Sequence, residues 1–244
     1  MLAQLSDLHL RAGDPESESR VQRAVAAVAA MDPLPDALLV SGDIADVPGP
    51  EVYARARELL EPAGLPLLAI PGNHDDGDLL VASFGTVPVV ATAGALRVVG
   101  VDTSRPGRAD GRLEADELDR LDAELARDTE TPTVLAMHHP PVLTGVNALD
   151  AIGLPAGDRA AIAGLLGRHP QVQTVACGHV HRTMATALGG AAVVICPGVS
   201  SQLHLDLRPR DDLPIQMTGE PSGLALHVLV DGGIRSHVVT LTDG

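Results

Sequence analysis

The sequence predicts an α/β fold in which helices cover the sheets and the C-terminal third is mostly antiparallel β. Three observations predict it. Between Leu2 and Ala176, short apolar runs alternate with helical patterns, the order that builds layered α/β cores. Several of those runs are continuously apolar, as in strands covered on both faces. After Gly178 the helical patterns stop, and strand patterns flank the tight-turn signals Gly189-Gly190 and Asp231-Gly232-Gly233.

Residues 2–5 read as the first strand. Residues 18–31 carry Val21, Val25 and Val28 at helical spacing. A buried strand follows at 37–40. Residues 50–60 form a helix opened by Pro50, whose ring fits the first helical turn. Residues 65–70 and 96–101 are further strands. Residues 114–126 form an amphipathic helix with Leu118, Leu121 and Leu125 on one stripe. A strand at 133–137, a helix at 158–166 and a strand at 172–176 complete the alternation. Strands at 184–188, 191–196, 224–230 and 234–241 close the chain. Two segments fit no element: a long connection at 141–157 and an irregular insertion at 203–222, rich in Asp, Arg and Pro. With no internal repeat and no low-complexity linker, residues 1–244 are expected to form a single domain.

Composition narrows the function classes. The 244 residues are enough to bury a sizeable core. Aromatic residues make up only 1%, so Leu, Val, Ala and Ile must fill it. The net charge of −15 disfavours binding to phosphate backbones, and no nucleic acid partner is expected. Cys177 and Cys196 are too few for a disulfide framework. They fit reduced thiols in a cytoplasmic protein. Neither a signal peptide nor an apolar run of about 18 residues is visible, so no membrane partner is expected.

Five short motifs carry the chemistry: S-D-L-H at 6–9, G-D-I-A-D at 42–46, G-N-H-D-D at 72–76, H-H-P-P at 138–141 and G-H-V-H at 178–181. Each follows a predicted strand, and each holds residue types that bind divalent cations. Asp7 and His9 flank Leu8, and an extended strand end would aim both the same way. His179 and His181 share that spacing. Asp43 sits where α/β proteins place ligands, and its two oxygens can bridge two ions. Asp46 reads as an N-cap or a residue behind the ligands. Asn73 offers a neutral amide oxygen. His74 is a candidate proton donor, with Asp75 expected to hold its tautomer and raise its pKa. His138 and His139 point to opposite sides, and His138 is favoured as the direct ligand. Alone, each motif has a bland reading: a surface turn, a turn amide or a buried histidine. Together, in this order at strand ends, they hold six of the ten histidines. The segment 141–157 is read as a wall of the site.

In this order D-L-H, G-D-I-A-D, G-N-H-D, H-H-P-P and G-H-V-H resemble the calcineurin-like metallophosphoesterase superfamily, from Asp7 to His181. Within it, G-N-H-D-D, the Asp102-Thr103-Ser104 triplet, H-H-P-P and the following T-G-V-N-A-L-D-A-I-G-L are similar to class III cyclic nucleotide phosphodiesterases. Glycerophosphodiesterases are near relatives. The resemblance implies a four-layer α/β/β/α sandwich, the metallo-dependent phosphatase fold. It implies Asp7, His9, Asp43 and His181 around one metal ion. Asp43, Asn73, His138 and His179 surround the other, with Asp43 bridging. His74 corresponds to the proton-donating or phosphate-contacting histidine. Two divalent metal ions are implied, from among Mn, Fe, Zn and Co. Such ions about 3.5–4 Å apart can share a hydroxide that attacks phosphorus in line with the leaving oxygen. The expected enzyme is a binuclear metal-dependent phosphodiesterase for a small phosphodiester substrate, foremost a 3′,5′-cyclic nucleotide such as cyclic AMP. Glycerophosphodiesters or other phosphoesters are the alternative. The acidic balance opposes a nuclease, and the full ligand set opposes a non-catalytic scaffold. A homodimer is implied as well.

Overall fold

The computed structural model describes residues 1–85, 87, 89–208 and 215–241. The N-terminal elements are β1 (Leu2–Leu5), α1 (Pro15–Ala29), β2 (Ala37–Ser41), α2 (Pro50–Leu60), β3 (Leu67–Ile70) and α3 (Gly77–Phe84). Next come β4 (Val89–Ala93), β5 (Leu96–Gly100), α4 (Ala115–Leu125), β6 (Thr133–Ala136), α5 (Asn147–Asp150), α6 (Ala156–Arg168) and β7 (Val172–Cys177). The chain ends in β8 (Met184–Leu188), β9 (Ala191–Ile195), β10 (Gln202–Leu203), β11 (Met217–Thr218), β12 (Gly223–Val230) and β13 (Gly233–Thr240).

Among the described residues two large sheets form, in the orders β13-β12-β1-β2-β3 and β4-β5-β6-β7-β9-β8, beside a small β10-β11 ladder. In the first sheet β1, β2 and β3 run parallel, and β12 returns antiparallel to β1. In the second, β5, β6, β7 and β9 run parallel.

Strand alternation sends successive side chains to opposite faces, and here both faces are covered. On β2, Leu38 and Val40 join Val21 and Val25 of α1 and Tyr53 and Ala56 of α2. Ala37 and Leu39 instead meet Val98 of β5 and Val134 and Ala136 of β6 between the sheets. On β6, Leu135 packs with Leu121 and Leu125 of α4 and Ile162 of α6. Three apolar layers therefore separate helix, sheet, sheet and helix, the expected four-layer sandwich.

Differences from the sequence reading have local causes. α1 begins at Pro15, earlier than the apolar spacing alone indicates, because Asp14 accepts from the Glu16 N–H and Pro15 fills the first turn. α3 was not expected. It is one short helix, capped by Asp76 accepting from the Leu79 N–H. The edge strand β4 was also missed. β9 is antiparallel to β8 yet parallel to β7, so the C-terminal third is mixed there. The 141–157 connection contains α5. Of the 203–222 insertion, residues 209–214 lie outside the described residues, and the remainder holds the end of β10 and all of β11. Among the described residues no helix is long and apolar enough to cross a membrane. Both cysteines are free and buried.

Candidate metal centre

The five motifs follow the C-terminal ends of five parallel strands: β1, β2 and β3 in one sheet, β6 and β7 in the other. The two sheets stack with these ends together, so donors from both halves converge at one edge of the sandwich. The strands stop before the donors do. Asp7, His9, Asp43, His179 and His181 all have positive φ, between 41° and 69°. This corrects the expectation that an extended strand end aims Asp7 with His9 and His179 with His181. The aim comes from successive left-handed turns, a conformation that Asp, Asn and His tolerate better than other non-glycine residues.

One carboxylate or imidazole atom each from Asp7, His9, Asp43 and His181 lies within 4.8 Å of the others. His9 Nε2 is 3.0 Å from His181 Nε2 and 3.5 Å from Asp43 Oδ2, and His181 Nε2 is 3.4 Å from Asp7 Oδ1. Asn73 Oδ1 is 2.9 Å from His179 Nδ1 and 3.3 Å from His138 Nε2. That same His138 Nε2 is 3.5 Å from Asp43 Oδ2. Asp43 thus stands between two donor sets. Donor atoms sharing an ion at about 2.1 Å stand roughly 3–3.4 Å apart, the spacing seen here.

The residues present fit metal ions on chemical grounds. His138 Nδ1 donates to the Ser41 carbonyl at 2.9 Å, and His181 Nδ1 to the Ser201 carbonyl at 3.0 Å. That leaves each Nε2 facing acceptor atoms, a place for a positive charge that either a proton or a bound cation can supply. Among the described residues, Asp7 Oδ2 is buried without a hydrogen-bond partner. Burial works against charge on His138, yet the Asp43 carboxylate outweighs it and lifts the ring to about 9. Burial likewise opposes ionisation of Asp43, but His138 and His9 hold its carboxyl well below the usual range. Such a pocket draws positive charge to its centre. Burial, reinforced by His139 and His138, keeps His179 neutral, the form that binds metal.

Glycines in the motifs make room for donors from other strands. A Cβ on Gly42 would meet His138 Nδ1 at 2.3 Å, and one on Gly72 would meet Asp43 Oδ1 at 2.1 Å. One on Gly178 would meet Ser6 Oγ at 2.1 Å and Asp7 Oδ2 at 2.9 Å.

The structure separates the paired histidines. His139 faces Thr103 Oγ1 at 2.8 Å through Nδ1 and the Ala109 carbonyl at 3.1 Å through Nε2. Burial pushes it down to about 3. Both its nitrogens are engaged away from the donors, whereas His138 Nε2 points among them. Asp46 Oδ1 faces His9 Nδ1 at 3.3 Å, behind the donor atom.

Asp75 does not do what the sequence reading expects. His74 Nδ1 is 3.0 Å from the backbone carbonyl of Asp46, and the Asp75 carboxylate lies elsewhere. It accepts from the N–H groups of Ile44, Ala45 and Gly72 at 2.9–3.1 Å and from the Tyr53 hydroxyl at 3.0 Å. Adjacent residues on a tight turn diverge, so Asp75 points inward while His74 is exposed. Burial and the nearby Asp43 charge push Asp75 up to about 6.

Five of the seven candidate donors, His9, Asp43, Asn73, His179 and His181, floor a cleft of roughly 390 Å³. Leu149 and Ile152, from the 141–157 connection, form one wall. Leu203, Ile215 and Met217 form another, so part of the 203–222 insertion also belongs to the site. Arg11, Arg20, Ser200 and Ser201 also line it. No sequence signal marked these residues: none lies in a donor motif, and only folding brings them there. A larger cavity of about 620 Å³ lies between α3, β4–β5 and α4, and none of the seven candidate donors lines it. The chemistry places the site in the smaller cleft.

A family model described as calcineurin-like phosphoesterase matches residues 1–183. A probable cyclic nucleotide phosphodiesterase of Synechococcus sp. is 38% identical over 231 residues, covering 91% of this chain and 88% of its own. A probable glycerophosphodiester phosphodiesterase of Arcobacter nitrofigilis is 29% identical over 253 residues, covering 97% and 92%. Among solved structures, a dimetal phosphatase of Danio rerio superposes with a TM-score of 0.70 at 14% identity, covering 99% of this chain and 98% of its own. That last likeness is one of fold.

Proposed function

From the premise that the chain belongs to the calcineurin-like phosphoesterase family and is a metal-dependent phosphodiesterase, we propose that it hydrolyses 3′,5′-cyclic nucleotides to nucleoside 5′-monophosphates. The observation that carries the reading is Asp43, whose Oδ2 lies 3.5 Å from both His9 Nε2 and His138 Nε2. One carboxylate would then serve two ions. Asp7, His9 and His181 would complete one site, and Asn73, His138 and His179 the other. The relative from Synechococcus, named as a probable cyclic nucleotide phosphodiesterase, supports the substrate class.

Two divalent ions, when bound, supply Lewis acidity and a water activated near neutral pH. The chain's own residues do the rest. Asp43 fixes the separation of the two sites. The carbonyls of Ser41 and Ser201 hold His138 and His181 with Nε2 inward. His74 Nδ1–H donates to the Asp46 carbonyl, which leaves Nε2 to carry a proton to the departing alkoxide. Its ring stands edge-on to His9, with centroids 4.6 Å apart, at the mouth of the donor sets. The two apolar walls flank the cleft and would narrow the access of bulk water to a bound ester.

The test is a kcat/KM comparison of Mn-loaded protein on cyclic AMP, cyclic GMP, glycerophosphocholine, bis-p-nitrophenyl phosphate and a simple phosphomonoester. Cyclic nucleotides are expected to lead. Faster turnover of glycerophosphocholine than of either would overturn the substrate reading and leave the metal centre intact. Asp43→Asn is expected to lower bound metal by elemental analysis and to cut turnover by about 10³-fold or more.

A further inference from the structure

The 203–222 insertion puts an apolar surface beside the metal-binding floor. Among its described residues, four large apolar side chains are exposed: Leu205, Leu207, Ile215 and Met217. Clustered exposed apolar surface marks a place where a ligand or partner rests. Ile215 and Met217 line the cleft itself and are 49% and 45% exposed, so a ligand can reach both.

Short links tie this wall to the floor. The Leu203 N–H donates to the His181 carbonyl at 2.9 Å, and His181 Nδ1 donates to the Ser201 carbonyl at 3.0 Å. Arg182 Nη1 donates to the Leu203 carbonyl at 2.7 Å. Leu203 pairs with Met217 across the β10–β11 ladder, and the His204 N–H donates to the Gln216 carbonyl at 2.7 Å. Paired residues project from the same face of a ladder. Leu203 and Met217 both line the cleft, so that face is turned toward it. Leu203 is buried and Met217 is open to a ligand. The wall therefore stands at a fixed offset from His181, one of the candidate donors.

The charged phosphate of a substrate belongs at the donor sets. What rests on Leu203, Ile215 and Met217 is a substituent of the ester, and it meets apolar surface there. Every nucleotide base offers a flat π-face to such a surface. The thioether of Met is polarisable, adapts its shape and makes favourable contacts with rings. The chain's one Tyr and one Phe, Tyr53 and Phe84, do not line the cleft. The rings that do are imidazoles, assigned above to the metals and to the leaving group.

We propose that Met217, with Ile215 beside it, seats the face of the nucleotide base and determines specificity in this cleft. The proposal rests on the cyclic nucleotide reading above and names the wall that holds the base. Contact through a face asks nothing of the base's edge. It favours a flat heteroaromatic substituent over a small polar one such as glycerol, whose hydroxyls would lose water against this wall without gaining a partner from its side chains.

The test is the KM for cyclic AMP beside the inhibition constant of inorganic phosphate, a probe that carries no base. Both are measured in Mn-loaded wild type, Met217→Ser and Met217→Leu. Met217→Ser should raise the KM for cyclic AMP about 3- to 10-fold and leave kcat close to wild type. The inhibition constant of phosphate, measured against bis-p-nitrophenyl phosphate, should not move. Met217→Leu, of similar volume and also apolar, should recover most of the loss. An unchanged KM in Met217→Ser overturns the assignment. So does an equal rise in KM and in the phosphate constant, which would place the effect of Met217 on the metal floor. In both cases the cyclic nucleotide reading stands. Cleavage of bis-p-nitrophenyl phosphate with no turnover of cyclic AMP or cyclic GMP overturns that reading and the base seat with it.

Discussion

His74 has a single ring contact with the backbone, at the Asp46 carbonyl, and its own N–H donates to Asp43 Oδ1 at 2.9 Å. The side chain is thus held by main-chain groups that survive its replacement. His74→Ala should keep its bound metal by elemental analysis. Its kcat should fall about 10²–10⁴-fold on esters with an alkoxide leaving group. With a p-nitrophenolate leaving group, which needs no proton, the loss should be much smaller. Equal losses on both ester types would remove the acid role. The same scale explains the motif glycines. Gly42, Gly72 and Gly178 are needed because His138, Asp43 and Asp7 occupy the space a methyl group would take.

Between elements, Asp75 is the brace. It sits in the loop after β3 and gathers N–H groups from the loop after β2, from its own loop and from the Tyr53 hydroxyl on α2. Those two loops carry Asp43 and Asn73, so the brace sets the spacing of donors from different strands. Asp75→Ala leaves several buried donors unpaired at about 1–3 kcal/mol each. We expect a loss of about 3 kcal/mol or more in urea denaturation, with weaker metal binding. A variant with unchanged stability and metal affinity would show that the loops hold without it.

At the scale of the whole molecule, a buried polar chain joins the two sheets behind the metal centre. His227 on β12 faces Ser236 Oγ at 2.8 Å and Gln4 Oε1 at 3.0 Å. Gln4 Nε2 in turn donates to Ser41 Oγ at 2.8 Å and to the Cys177 carbonyl in the second sheet at 3.0 Å. Burial lowers His227 to about 4, against an ordinary 6.5. The native state therefore binds fewer protons than the unfolded chain between those values. Its contribution is present above about pH 6.5 and is lost as pH falls toward 4, by roughly 3 kcal/mol in all. Wild type should lose more stability than His227→Gln between pH 7 and pH 5 in urea titrations. Parallel losses would assign the acid sensitivity to other groups.

Much of the architecture was legible in the chain. Long continuous apolar runs and the α4 stripe gave strands and helices close to their observed bounds, because burial on one or two faces dictates residue type locally. α3, β4 and the β10–β11 ladder were not legible. They are short, and their stability comes from packing on neighbours more than from their own pattern. The seven candidate donors were legible because ligand chemistry restricts each to Asp, Asn or His after a strand.

The sequence by itself determined the inventory: which side chains are able to hold cations, and that buried strands deliver them. Only the tertiary structure decided direction. Left-handed turns at Asp7, His9, Asp43, His179 and His181 aim the donors, Asp75 faces away from His74, and Arg20 reaches a cleft floored by residues far along the chain. Spacing along a chain constrains distance, but orientation depends on backbone torsion and on what packs behind, and those are set by contacts between segments.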